Sequence, residues 1–151
     1  MIRPARQDET SRLTDLAFRS KAHWGYSDEF MELCRDELTI STAYLDEHVC
    51  FVLEADQRHV GFASLERLSS TRTELGHLFV EPAETGHGYG KELMAHAISE
   101  ACSKGYSVLE IQADPNAESF YRSCGAQRVG VKPSASIAGR DLPLMELALQ
   151  A

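Results

Sequence analysis

Apolar and polar positions fall into blocks along the chain, and the period within each block predicts its element. Residues 2–5 read as a short first strand. Leu13, Leu16 and Ala17 then recur at helical spacing in a segment that runs to about Lys21, with Asp8 or Thr10 placed to accept from the free first amides. His23-Trp24-Gly25-Tyr26-Ser27 breaks that period. Ser27-Asp28-Glu29 opens a second helix carrying Phe30, Met31, Leu33, Cys34 and Leu38. From residue 49 the texture changes: residues 49–53 and 60–65 are β-rich runs joined by a turn at Gln57-Arg58, which predicts an antiparallel hairpin. A third strand over 73–80 stops at Glu81-Pro82, because proline has no N–H to give a ladder. After a glycine-rich turn, Tyr89, Leu93, Met94, Ala97, Ile98, Ala101 and Cys102 form the apolar stripe of a strong helix that ends at Lys104-Gly105. Residues 108–111 are another strand. Asp114-Pro115-Asn116 starts a short helix through Tyr121 that Gly125 closes, and residues 127–131 and 142–149 supply two last strands.

Composition narrows the class. The 151 residues are 43% hydrophobic and 25% charged, with no repeat or linker that would split them, so a single domain over 1–151 is expected. Acidic residues outnumber basic ones 23 to 15, for a net charge of -8, and no Lys/Arg run is present, which speaks against nucleic acid as a partner. The apolar runs fall far short of the roughly 20 residues that a membrane helix needs. The charged start Met1-Ile2-Arg3-Pro4-Ala5-Arg6 lacks an apolar signal stretch, so no membrane contact and a cytoplasmic location are expected. Cys34, Cys50, Cys102 and Cys124 are scattered among apolar neighbours, and His77, His87 and His96 lack carboxylates at matching offsets. Reduced thiols and no metal are expected.

The richest chemistry lies in Thr85-Gly86-His87-Gly88-Tyr89-Gly90-Lys91, between a strand and a helix. Three glycines at alternate positions let the backbone approach a ligand, and amides converging at a helix N-terminus favour phosphate, so a pyrophosphate would fit. A dinucleotide fingerprint would need glycine at position 91 or 93, where Lys91 and Leu93 stand. A Walker A loop would need four residues between its glycines and Ser or Thr after the lysine, whereas Glu92 follows Lys91.

The turn resembles motif A of the GCN5-related N-acetyltransferase (GNAT) family: Leu78-Phe79-Val80-Glu81-Pro82, then Thr85-x-x-Gly88-x-Gly90 opening a helix. Thr85 stands where that family usually has Arg or Gln. Asn116, Phe120-Tyr121 and Gly125-Ala126 are similar to its motif B, with Ser119 and Ala126 as departures. The element order β-α-α-β-β-β-α-β-α-β-β agrees too. The resemblance implies an α/β (α+β) fold, a mixed and mainly antiparallel sheet of six to seven strands with helices on both faces. It further implies an acetyl-CoA-dependent N-acetyltransferase acting on a small-molecule or peptide amine by direct attack, and the late strands as a surface for a homodimer. A domain of this fold that binds CoA only as a sensor, or a non-enzymatic interaction module, are the alternatives.

By the same resemblance Gly86, His87, Gly88, Tyr89, Gly90 and Lys91 cradle a pyrophosphate, with the Thr85 hydroxyl in reach, while Leu78, Phe79 and Val80 lie against the pantetheine arm. A backbone amide near Leu78 would polarise the thioester carbonyl, and Asn116 would contact the arm. Tyr121 matches the tyrosine that protonates the departing sulfur; its plain reading is a packing aromatic beside Phe120. Glu74 is the candidate general base, placed by strand alternation on the face of Gly76, Leu78 and Val80; its plain reading is a solvent-facing glutamate. Glu66 and Glu110 are lesser candidates. His23, Trp24 and Tyr26 fall in a region that covers the acceptor, with Trp24 as core the equal alternative. The acidic residues Asp28, Glu29, Glu32, Asp36 and Glu37 would favour a cationic amine.

Overall fold

A computed structural model describes residues 1–150. Seven strands form one sheet: β1 (Ile2–Pro4), β2 (Val49–Ala55), β3 (Arg58–Arg67), β4 (Arg72–Val80), β5 (Val108–Gln112), β6 (Gln127–Pro133) and β7 (Asp141–Ala148). Their spatial order is β1-β2-β3-β4-β5-β7-β6, antiparallel throughout except for β4 beside β5. This is the mixed, mainly antiparallel sheet that the resemblance implies. The hairpin turn is one residue earlier than expected: Asp56 and Gln57 both take positive φ, the pair of left-handed residues that matches the twist of a tight hairpin.

Two apolar clusters cover the sheet. On one face, α5 (Tyr89–Ser103) and α6 (Glu118–Ser123) bury Leu93, Met94, Ala97 and Tyr121 against Leu53, Leu75, Leu109 and Met145. On the other, α1 (Thr10–Ala22) and α2 (Asp28–Leu33) bury Leu13, Leu16 and Met31 against Val52 and Phe62. The predicted second helix is broken at Cys34 into α2 and a short α3 (Arg35–Leu38), and α4 (Thr42–Glu47) follows where no element is expected. Ser27 and Ser41 cap α2 and α4, their hydroxyls accepting from the amides of Phe30 and Tyr44 at 3.1 and 3.0 Å. Among the described residues no helix is long and apolar enough to cross a membrane.

Neither Asp8 nor Thr10 organises the first helical turn. Glu9 does, accepting from the Arg6 amide at 2.7 Å and from the Arg3 guanidinium at 2.9 and 2.6 Å. Arg3 also reaches Glu54, and His59 reaches Glu9, so the group ties β1, β2 and β3 to the start of α1. Glu9 is 1% exposed, and its pairing with Arg3 pulls its carboxyl down to about 2 against the cost of burial. Glu9, Glu54 and His59 have the donor types of a metal site, but the Arg3 guanidinium already supplies their cation.

The helix α5 lies close on the sheet because Gly61 of β3 has no side chain. A methyl there would stand 2.8 Å from Leu93 Cδ1 and 2.9 Å from the Phe79 carbonyl oxygen, the second a backbone atom of the neighbouring strand. Gly61→Ala is therefore expected to lower stability by about 1–3 kcal/mol. Denaturant unfolding checks this, and an unchanged midpoint would mean that α5 does not press on the sheet at this position.

Candidate active site

The parallel ladder between β4 and β5 is short. Arg72, Thr73 and Glu74 pair with Val108, Leu109 and Glu110, and there it stops. Beyond Glu74 the two strands part, and a cavity of about 860 Å³ opens between them. The antiparallel side of β4 continues to Val80, with Ser64, Ala63, Phe62 and Gly61 opposite His77, Leu78, Phe79 and Val80. The Glu81 amide donates to the Val60 carbonyl at 2.8 Å, so by alternation Phe79 and His77 also bond toward β3. The main-chain groups of Leu78 and Val80 therefore point to the side where β5 has left.

A bulge at Gly76 makes this geometry. Ser64 faces His77 but Leu65 faces Leu75, so Gly76 is the extra residue. It corrects the expected facing of Glu74. Leu75, Leu78 and Val80 all pack with the α5 cluster, and Phe79 packs with the α1 cluster. Across the bulge the alternation slips by one, and Glu74 lies on the face opposite Leu78 and Val80. A side chain at Gly76 would meet the Glu66 carboxylate and stand 2.7 Å from the Tyr44 hydroxyl. The glycine thus makes room for both groups beside β4.

At the other end of the cavity, Gly86 and Gly88 take φ of +89° and +79°, and Gly88 caps α5 from the left-handed region, a conformation that a side chain would strain. Thr85, Gly86, Gly88, Tyr89, Gly90 and Lys91 line this end. Lys91 is its one lysine. The Thr85 hydroxyl is spent within the turn, donating to the Pro82 carbonyl at 3.1 Å. His87 is not among the lining residues; it stacks on Tyr89 with ring centroids 5.5 Å apart. The expected contact of His87 is thus made through its backbone or not at all. Gly90 lies against Phe120, whose Cζ would be 3.2 Å from an added methyl, so the two motifs meet directly.

Leu78, Phe79, Val80, Asn116 and Tyr121 line the middle, and His23 and Trp24 border it from the α1–α2 loop. Trp24 is 50% exposed, which settles it as surface and not core. Tyr26 is elsewhere. Its hydroxyl donates to Asp114 at 2.8 Å and accepts from Asn116 Nδ2 at 3.0 Å and from Arg140 at 2.7 Å. Lys21 adds an ammonium 3.5 Å from Asp114. This knot ties the α1–α2 loop, the end of β5 and the β6–β7 loop together. Burial opposes the charge on Asp114, but hydrogen bonds from the Asn116 amide and Tyr26 outweigh it and hold the carboxyl below its ordinary range.

Glu74, Glu66, Tyr44 and His77 line the remaining end. Burial, reinforced by the carboxylates of Glu66 and Glu110, pushes Glu74 up to about 7; Lys132 and Gln112 pull weakly the other way. Burial lowers His77 to about 4, so its imidazole is neutral at physiological pH. Tyr121, 7% exposed, is raised well above the ordinary phenol range by burial and stays protonated. Among the described residues its hydroxyl has no hydrogen-bond partner, although no buried side-chain polar atom is left unpartnered, so the hydroxyl is open to the cavity. The arrangement combines an anion-binding turn, a strand with free amides, a carboxyl poised near neutrality and a protonated phenol on one cavity.

The family model described as the acetyltransferase (GNAT) family matches residues 11–126. The chain belongs to the GNAT acetyltransferase family. Among curated GNAT relatives, the N-alpha-acetyltransferase RimI of Mycobacterium tuberculosis is 36% identical over 77 residues, 48% of each protein. The chain spans between about a quarter and a half of the length of the curated relatives it matches. Among solved structures, a GCN5-related N-acetyltransferase from Rhodopseudomonas palustris superposes with a TM-score of 0.81 at 21% identity, covering 99% of this chain and 95% of that one. The PaiA N-acetyltransferase of Thermoplasma acidophilum, solved with coenzyme A, gives 0.76 at 24% identity, covering 98% of both chains. These likenesses confirm the GNAT fold.

Glu74 also has a consequence for stability. Its folded pKa lies above its ordinary value, so the native state binds the proton more tightly than the unfolded chain does. That contribution is fully present below pH 4.5 and is lost as pH rises toward 7. Glu74→Gln is therefore expected to melt at a higher temperature than the parent at pH 8 and with little difference at pH 4. A thermal-melt series across that window checks it, and a gap that fails to open with pH would contradict the raised pKa.

Proposed function

We propose that this GNAT domain is an acetyl-CoA-dependent N-acetyltransferase that acetylates a primary amine by direct attack. The observation that carries this reading is the single cavity that runs from the glycine turn, past the open side of β4, to Glu74. The chain's own residues fit such a cosubstrate. Gly86 and Gly88 place backbone amides around a pyrophosphate without a side chain in the way, and Lys91 adds a cation. The main-chain groups of Leu78 and Val80 have no neighbouring strand and suit an amide-bearing arm laid alongside as a further strand would be.

Acetyl-CoA, when bound, supplies an acetyl group activated as a thioester. Glu74, with a pKa of about 7, removes the proton that keeps an arriving ammonium from acting as a nucleophile. The Leu78 amide, left unpaired on the side of β5, would donate to the carbonyl oxygen as negative charge gathers there. Tyr121, held protonated by burial, returns a proton to the departing sulfur. His23 and Trp24 border the route by which the amine enters, and Tyr26 acts behind them by fixing their loop. Direct transfer is favoured over an acyl-enzyme because burial raises the thiols of Cys34 and Cys50, the latter to about 12, and neither lines the cavity.

Release of free CoA from acetyl-CoA in the presence of an amine panel tests the reading. The rate is expected to rise with pH through a limb near 7, and Glu74→Gln is expected to lower kcat about 10²-fold and to abolish that limb. Tyr121→Phe should lower kcat by about tenfold or more with a smaller change in KM. Folded protein that releases no CoA with any amine would contradict the activity. Unchanged turnover in both variants would contradict the roles.

A further inference from the structure

The carboxylates that line the cavity are treated in two ways. Glu84, beside the glycine turn, is paired with Arg58 at 2.7 Å, and Asp114 is paired with Lys21 and Arg140. Asp36, Glu37, Glu66 and Glu74 line the opposite end, and among the described residues none of the four has an ion-pair partner. The contrast extends across the sheet. Glu66, Glu74, Glu110 and Glu146 lie side by side in register on β3, β4, β5 and β7. Arg72 serves the far pair, reaching Glu110 at 3.8 Å and Glu146 more closely, and leaves the near pair bare where the cavity begins.

The near pair is held in place. Glu66 Oε2 accepts from the Tyr44 hydroxyl at 2.6 Å, Tyr44 lies 2.7 Å from Ser64 Oγ, and the bulge glycine Gly76 leaves the space that the carboxylate occupies. His77 is set deep in the same wall, and its imidazole has no hydrogen-bond partner among the described residues. It is neutral, so it supplies no counter-charge. Lys132 on β6 is the cation whose charge reaches Glu74, and it forms no ion pair with it.

A bare carboxylate in a partly desolvated site is costly unless a cation arrives to meet it. The reacting amine cannot be that cation, because it must give up its proton to Glu74 before it attacks. A field from several carboxylates would even hold a lone amine in its unreactive ammonium form. The charge on Glu66 is matched by a positive group that stays positive through the reaction, and the exposed Asp36 and Glu37 at the mouth add to the field that draws such a group in.

We propose that Glu66, with Asp36 and Glu37, forms a subsite for a second, permanently protonated amine, so that the acceptor is a small dicationic or polycationic amine and not a monoamine or an amino acid. This rests on the acetyltransferase reading and names the substrate class of that site. Glu66 and Glu74 are opposed across an antiparallel pair, where side chains start about 5 Å apart, so a spacer of a few methylenes separates the two nitrogens. A carboxylate on the acceptor would meet only like charge here.

The test compares diaminobutane, butylamine and aminobutyrate, which share a primary amine and a four-carbon chain and differ in the far end. With the native chain at pH 8, kcat/KM is expected to be about tenfold or more higher for diaminobutane than for butylamine, with aminobutyrate poorest, and the preference should shrink as salt is raised. In Glu66→Gln the preference should fall toward unity through KM for the diamine. Glu37→Gln, on an exposed turn of helix, should lower it by about threefold and keeps the test decisive if the first variant does not fold. Equal use of butylamine and diaminobutane, or a preference that survives in the folded variants and in high salt, would overturn the dication subsite and leave the acetyltransferase standing. Turnover of other amines of the panel but of none of these three would overturn the subsite alone, and release of no CoA with any amine would overturn both.

Discussion

The separation of β4 from β5 after Glu74 is the constraint on which the rest of the molecule depends. A parallel pair continued to Val80 would bond every main-chain group of β4 and would close the space between α5 and the β6–β7 loop. Instead the ladder holds for three residues, and Gly76 inserts an extra residue on the opposite side. The amides released by the split cannot remain in a dry interior without partners, so they must face a cavity that water or a ligand fills. The elements around that cavity then have set tasks. Gly61 lets α5 come down on the sheet, Gly90 lets Phe120 close against α5, and the Tyr26–Asp114–Arg140 knot binds three loops over the gap.

Charge is distributed along the cavity to suit a transfer between two unlike partners. The glycine turn offers amides and Lys91 to an anion, in a protein whose overall charge is -8 and would otherwise repel one. The opposite end keeps its carboxylates uncompensated. Between them stand a carboxyl near neutrality and a phenol that holds its proton, two groups whose pKa values are both raised by a common cause, burial. The same burial that suits Glu74 to the proposed role of base makes it a burden on the folded state, the usual exchange between a working site and stability.

What was legible in the sequence is what has a local cause. Three glycines before an apolar stripe announced the turn and α5. β-Rich runs between turn residues located all seven strands, and Asn116 and Tyr121 were found through the resemblance to motif B. The features that escaped depend on contacts between distant segments. Nothing near Tyr26 reveals that its hydroxyl meets Arg140, 114 residues away, which turns an expected acceptor contact into a loop fastening. Tyr44 sits in a helix too short to show a period, yet it fixes Glu66. The facing of Glu74 was misread because one glycine inside a strand shifts the alternation; Gly76 was the visible sign of that bulge, and its side of the sheet became clear only with β3 in place.

The central claim is that the glycine turn and the open side of β4 together hold a pyrophosphate-bearing CoA arm. Calorimetric titration of the protein with CoA and, separately, with pantetheine tests it most directly, because the two share the arm and differ in the pyrophosphate. Saturable binding of CoA, with pantetheine at least about a hundredfold weaker, is the result the structure predicts. Equal affinity for the two, or no binding of CoA by the folded chain, would contradict it.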